Sequence, residues 1–275
     1  MNISELIQNT DSLPPAPEIL PKLVEIMRDP DADSNDVVSL ISTDPAIIAG
    51  VLKLSNSAAY SPAQPVTDLN DAVAMLGIQT VYRIVNMVSG SEFLDGSLSS
   101  MAISSGGLWE HSLAVALMMD QIAKGLSEVE GLPYTLGILH DVGKLLFHLG
   151  LGEEYVKVFK RVETERISIT KAENQTFGFD HALAGSTMLE EWNFSPEIFI
   201  PIRYQYTPNE APEFKELAGA LHIANWGASV LGCNDGRDSW ALEMCEGAID
   251  IDEATIQMAI LETKMGLEKA KQSVA

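Results

Sequence analysis

His140 and Asp141 place an imidazole and a carboxylate on adjacent residues in the middle of Tyr134–Leu149, Y-T-L-G-I-L-H-D-V-G-K-L-L-F-H-L. Leu136, Ile138 and Leu139 precede the pair, and Val142, Leu145, Leu146 and Phe147 follow it. Ionisable groups in so apolar a stretch either find hydrogen-bond partners or together hold a cation, because burying them unpaired is costly. Imidazole nitrogen combined with carboxylate oxygen suits Zn, Mn or Fe, whereas Mg prefers oxygen alone. Gly143 lets the chain turn tightly or pack closely just beyond the pair. On its own the dipeptide leaves two readings open, a metal site and the commoner satisfied core contact. The other residues able to do chemistry are scattered: His111, Lys144, His181, and His222 with Asn225, three apart and so neighbours on one helical face.

The elements that must position them read as helices throughout. Residues 2–10 fit a short helix, stopped by the proline-rich Leu13-Pro14-Pro15-Ala16-Pro17. Apolar spacing predicts helices over Glu18–Arg28, Asn35–Thr43 with Ser34 as its cap, and Asp44-Pro45 through Leu54. A further helix, capped by Asp68 or Asn70, ends at Gly77, and another covers Thr80–Val88. Residues 94–107 are rich in Ser and Gly and low in charge, which suits a linker between lobes or a surface loop. Helices follow over Leu108–Gly125 and Glu153–Glu165, on either side of the Tyr134–Leu149 element. A turn over Asn174–Asp180 leads into a helix over His181–Trp192. Ser195–Tyr206, Phe214–Leu231, Trp240–Ile249 and Glu253–Lys271 complete the chain, the last as an exposed amphipathic lid or tail. The expected class is all-α, divided into residues 1–95 and 96–275.

Composition narrows the function. The 275 residues carry 39 acidic and 17 basic side chains, a formal charge of −22. Such a surface repels phosphate backbones and anionic lipid, so general nucleic-acid or membrane binding is disfavoured. The basic island Lys157, Lys160, Arg161 and Arg166 is interleaved with Glu163 and Glu165 and reads as a solvated helix face. Cys233 and Cys245 lack CxxC spacing, which suits reduced cysteines in a cytoplasmic protein. The first residues have neither the basic nor the apolar region of a signal peptide, and no apolar run is long enough to span a bilayer.

The order of these residues resembles the HD superfamily of metal-dependent phosphohydrolases, and within it the HDOD (HD-related output domain) family. The resemblance rests on Leu13-Pro14-Pro15-Ala16-Pro17, Asp44-Pro45-Ala46, Leu54-Ser55-Asn56-Ser57-Ala58-Ala59-Tyr60 and Ala72-Val73-Ala74-Met75-Leu76-Gly77. It continues through Trp109-Glu110-His111-Ser112, Gly137 to Lys144, and Phe179-Asp180-His181-Ala182-Leu183-Ala184-Gly185, covering about residues 12–231 in one order. It implies a helical bundle lobe packed against a degenerate HD lobe. It also implies that His111, His140, Asp141 and His181 hold a single divalent metal (Zn, Fe, Ni or Mn), with Lys144 at the phosphate in an active relative.

The departures carry as much weight. Where the binuclear family pattern has His-His before a Pro, this chain has Tyr204-Gln205-Tyr206-Thr207-Pro208, and the distal Asp is Asn225. A neutral amide oxygen is a poorer partner for a dication than a carboxylate, and the second metal has lost its ligands. The resulting expectation is a bacterial-type signalling or regulatory module without robust catalysis. It would act on a signalling protein partner or a small anionic ligand in the pocket between its lobes. No receiver, GGDEF or EAL sequence accompanies it, so the expected input is non-covalent. The competing expectation is a metal-dependent phosphohydrolase acting on a nucleotide or cyclic nucleotide. A third is an inert centre in which a metal only ties helices together. His148 and His222 match no motif and are read as structural.

Overall fold

The computed structural model describes residues 2–10, 13, 17–57, 60, 64–95, 107–124, 126–127, 131–233 and 249–274. The expected linker over 94–107, the helix over Trp240–Ile249, and Cys245 lie almost wholly outside them. The described residues are helical, with no strand among them.

Helix α1 (Ile3–Gln8) starts on a capping box, in which Asn2 and Glu5 satisfy each other's backbone N–H. It packs on the C-terminal half of the molecule, against α9 and α12 (ranges below). A bundle then forms from α2 (Ile19–Arg28), α3 (Ser34–Ile41), α4 (Pro45–Ser55), α5 (Leu69–Leu76) and α6 (Ile78–Asp95). Aspartates open three of these helices, each accepting from backbone N–H groups of the first turn. Asp44 caps α4 with Pro45 at its first position, Asp68 caps α5, and Asp33 caps α3. The expectation of Ser34 as the α3 cap is therefore corrected by one residue. Asp33 wins because its carboxylate reaches Asn35 N–H while Asp36 reaches back to Asp33 N–H. Gly77, at φ +81°, turns the chain from α5 into α6.

The second half is centred on α7 (Gly107–Ile122) and α8 (Leu132–Leu139), which run side by side. Every residue of α8 is buried. Gly137 makes that pairing possible: a Cβ there would stand 2.4 Å from Ala116 Cα. Then come α9 (Val142–Leu151), α10 (Glu153–Glu165), α11 (Ile169–Phe177), α12 (His181–Glu191), α13 (Pro196–Arg203), α14 (Lys215–Val230) and α15 (Glu253–Val274). α11 corrects the expected turn over Asn174–Asp180. Ser168 caps this helix and Gly178, at φ +85°, ends it, so the turn shrinks to 178–180. The long C-terminal helix α15 lies along α7 on one face, burying Ala259, Thr263 and Leu267, and leaves its other face exposed.

The two halves meet through α6, which contacts α7 and α8. Tyr82 donates to or accepts from Thr135, and Thr135 donates to Asn86, in a fully buried trio across that seam. Burial pushes the Tyr82 hydroxyl up to about 12, so it stays a neutral hydrogen-bonding group. The seam is tight, since a Cβ on Gly90 would come within 2.7 Å of Ile138 Cγ2. Among the described residues no helix is long and apolar enough to cross a membrane.

Candidate functional site

The Tyr134–Leu149 stretch forms two helices, and the break falls on His140-Asp141. His140 is the last residue of α8's geometry and Asp141 stands at the head of α9, with φ −107° and ψ 17°. An aspartate at this position normally accepts from the first-turn N–H groups. Here the carboxylate makes no such bond. It turns instead toward the helices on either side. Gly143 brings α12 close enough to complete the arrangement, since a Cβ there would lie 1.8 Å from the His181 carbonyl oxygen.

On one side of Asp141 stand His111 from α7 and His140. The His111 Nδ1–H donates to the Cys233 carbonyl at 2.6 Å, and the His140 Nδ1–H to the Gly137 carbonyl at 2.8 Å. Those bonds place an N–H on each Nδ1 and turn both Nε2 atoms inward. The Nε2 atoms lie 3.2 Å apart, and Asp141 Oδ2 lies 3.3 Å from His140 Nε2 and 3.5 Å from His111 Nε2. Tetrahedral zinc with bonds of about 2.0–2.1 Å sets its ligand atoms about 3.3–3.4 Å apart. The triangle is therefore of the size a divalent cation needs, and neither Asp141 oxygen receives a well-aligned hydrogen bond. Lys144, one turn into α9, sets its Nζ 2.9 Å from the same Oδ2 and supplies a single positive charge. Burial would raise Asp141, but the charges on His140 and Lys144 outweigh it and hold the carboxyl well below the usual range. Burial, reinforced by His140, pushes His111 down to about 4, which keeps that ring neutral and available as a ligand.

The other side is built differently. His181 is the first residue of α12, and its Nε2 lies 3.4 Å from Asp141 Oδ1 and 2.9 Å from the Tyr206 hydroxyl. Its Nδ1–H donates to Glu173 Oε2 at 2.7 Å, and its backbone N–H donates to the same oxygen at 3.0 Å. Tyr155 donates to Glu173 Oε1 at 2.6 Å. Burial would lower His181, but Glu173 and Asp141 overcome it and raise the ring to about 10. Both ring nitrogens are thus occupied, and His181 stands apart from the group formed by His111, His140 and Asp141.

The positions where the family pattern has further ligands carry internal hydrogen bonds. Gln205 donates its side-chain N–H to the His140 carbonyl at 3.0 Å, and Asn225 reaches the Gln205 side chain at 3.5 Å. His222 donates from Nδ1 to the Gln205 carbonyl, and His148 from Nδ1 to the Lys144 carbonyl. Both of these histidines support backbone next to the site. Glu173 is the residue that motif reading missed. Its signal is position alone, an acid on the same face of α11 as the buried Ile169 and Ala172.

The sequence profile of the HDOD domain matches residues 13–208. Among solved structures, an HDOD-domain protein of unknown function from Geobacter sulfurreducens superposes with a TM-score of 0.79 at 24% identity, covering 98% of this chain and 95% of the other. A Shewanella amazonensis SB2B protein carrying a provisional phosphohydrolase name superposes with a TM-score of 0.72 at 27% identity, covering 97% of each. An uncharacterized protein from Treponema pallidum (strain Nichols) is 25% identical over 221 residues, or 78% of this chain. The chain spans only 42% of that relative's length. The family match runs through most of the chain and holds the His140-Asp141 break and His181 in a single stretch. On that ground the chain belongs to the HDOD family.

Proposed function

We propose that this chain is a regulatory module in which the HD centre serves as a buried polar tie between helices and not as a hydrolytic site. The observation that carries this reading is closure. His111, His140, Asp141, Lys144 and His181 each expose at most 3% of their surface, leaving no approach for a phosphate ester. Gln205 and Asn225, at degraded ligand positions, are engaged inside the protein. The output is then binding, to a signalling protein partner or a small anionic ligand. The test is a phosphodiesterase screen with a generic nitrophenyl diester and added Mn, Fe, Ni or Zn. Protein purified without a metal-affinity tag is compared with His140→Ala. Turnover no greater than the metal-only blank is expected; turnover that His140→Ala abolishes would overturn the proposal.

One observation favours the second reading, a metal-dependent phosphohydrolase. The three inward-facing donors of His111, His140 and Asp141 have the spacing of a metal triad, and the Shewanella relative's name points the same way. A divalent metal there would lower the pKa of a bound water and polarise a phosphoryl oxygen. This chain's own part would be to fix both imidazoles through the Cys233 and Gly137 carbonyls, and to set Lys144 beside the carboxylate. The same residues also suit a metal that only joins α7, α8 and α9.

A further inference from the structure

Lys144 is the one lysine or arginine that is buried among the described residues. Its backbone is held at both ends: the N–H donates to the Asp141 carbonyl at 2.9 Å, and the carbonyl accepts from His148 Nδ1 at 2.8 Å. The close approach of α12 at Gly143 fixes the residue before it. The side chain is 2% exposed, with Nζ 2.9 Å from Asp141 Oδ2. That is the oxygen which, with Nε2 of His111 and of His140, forms the triangle sized for a divalent ion. A surface lysine could swing into water as an ion arrived. Burial closes that route to Lys144.

We propose that the Lys144 ammonium is the resident cation of this centre. It balances Asp141 when no metal is bound, and it holds down the affinity for a divalent ion by sharing Oδ2 with it. Two observations point there. First, neither Asp141 oxygen receives a well-aligned hydrogen bond, so nearby charge must offset the burial of this carboxylate. Nζ is closer to Oδ2 than either imidazole Nε2. Second, bond lengths bound the repulsion. A metal about 2.0–2.2 Å from Oδ2 and an ammonium 2.9 Å from it stand at most about 5 Å apart, whatever the angle between them. At that separation a dication and an ammonium repel enough to weaken binding roughly tenfold even with the screening of bulk water, and by far more in a buried centre. An ammonium also differs from a metal in what it offers. It neutralises the carboxylate but has no open coordination position, and so gives no activated water. Which cation holds Asp141 is separate from whether a diester is cleaved, so this role of Lys144 goes beyond the regulatory reading and does not rest on it.

Zinc titration of the full chain, in competition with a chromophoric chelator, tests this. The wild type is compared with Lys144→Met, which keeps a long side chain and removes its charge. Lys144→Met is expected to bind one zinc at least tenfold more tightly, and to show the larger rise in melting temperature at equal zinc. Adding His140→Ala to Lys144→Met should abolish the gain, which assigns the zinc to the triangle and not to the surface. Lys144→Arg keeps the charge and should bind no more tightly than the wild type. Equal or weaker zinc binding by Lys144→Met overturns the proposal. So does a gain that survives His140→Ala, or one that Lys144→Arg shows equally. Removing a buried counter-charge can also cost the fold, so helicity is followed by circular dichroism with and without zinc. A Lys144→Met chain that folds only with zinc supports the exchange of one cation for the other; one that stays unfolded in excess zinc overturns it. A lysine with a solely structural role would lower stability on removal and leave the zinc affinity where it was. None of these readouts depends on turnover, so they stand whichever way the nitrophenyl diester screen falls.

Discussion

The two oxygens of Asp141 face two kinds of histidine. Beside Oδ2, His111 and His140 each give their Nδ1–H to a neutral backbone carbonyl, and their Nε2 atoms converge. Beside Oδ1, His181 gives its Nδ1–H to the carboxylate of Glu173, and its Nε2 meets Tyr206. Beside the Cys233 carbonyl, burial keeps the His111 ring neutral and ready for a cation. A carboxylate partner favours the imidazolium, which is already a cation. The residue type is the same on both sides, and the partner at the far nitrogen decides what the near one can do.

Removing the shared atom group breaks the comparison most severely. Asp141→Ala removes the carboxylate that Lys144 and His181 share in the core, at an expected loss of about 3–5 kcal/mol in urea unfolding. Zinc separates the two sides next. At one hundred times its dissociation constant it should stabilise the wild type by about 2.7 kcal/mol, read as a rise in melting temperature. That rise should vanish in His140→Ala. Glu173→Gln acts on the opposite side: it should lower stability by about 1.5–3 kcal/mol, the worth of hydrogen bonds to a charged group, yet keep the full response to zinc. If Glu173→Gln also loses the zinc response, the two sides are one site. The smallest change is a control at the lobe seam. Tyr82→Phe removes the bond to Thr135 and should cost about 1 kcal/mol in the same unfolding assay, with the zinc response unchanged.

The sequence made some of this plain and hid the rest for physical reasons. Aspartate before proline at Asp44-Pro45 is a local instruction, satisfied within four residues, and the structure carries it out. His140-Asp141 could be picked out because charge amid apolar residues is rare. Whether Asp141 would cap α9 or face the site depended on α7 and α12, which no local pattern specifies. Glu173 looked like any acid on a charged helix, since only burial against His181 distinguishes it. The contact of α15 with α7 was not legible because its buried face is made of Ala259, Thr263 and Leu267, a weak apolar stripe that suffices only because α7 fits it. The exposed stripe on its other side is the more hydrophobic of the two to read.

The Cys233 carbonyl that steadies His111 bears on how the molecule assembles. His140 receives its orientation from a carbonyl three residues away, within a single turn, so its ring is set as soon as α8 winds. His111 must wait for a carbonyl 122 residues further along the chain. Contacts that span such a length close late in folding, after the loop entropy between them has been overcome. The triangle of donors is therefore completed near the end of folding, and a chain still emerging from the ribosome would hold His140 in place with its neighbouring ligand still unset.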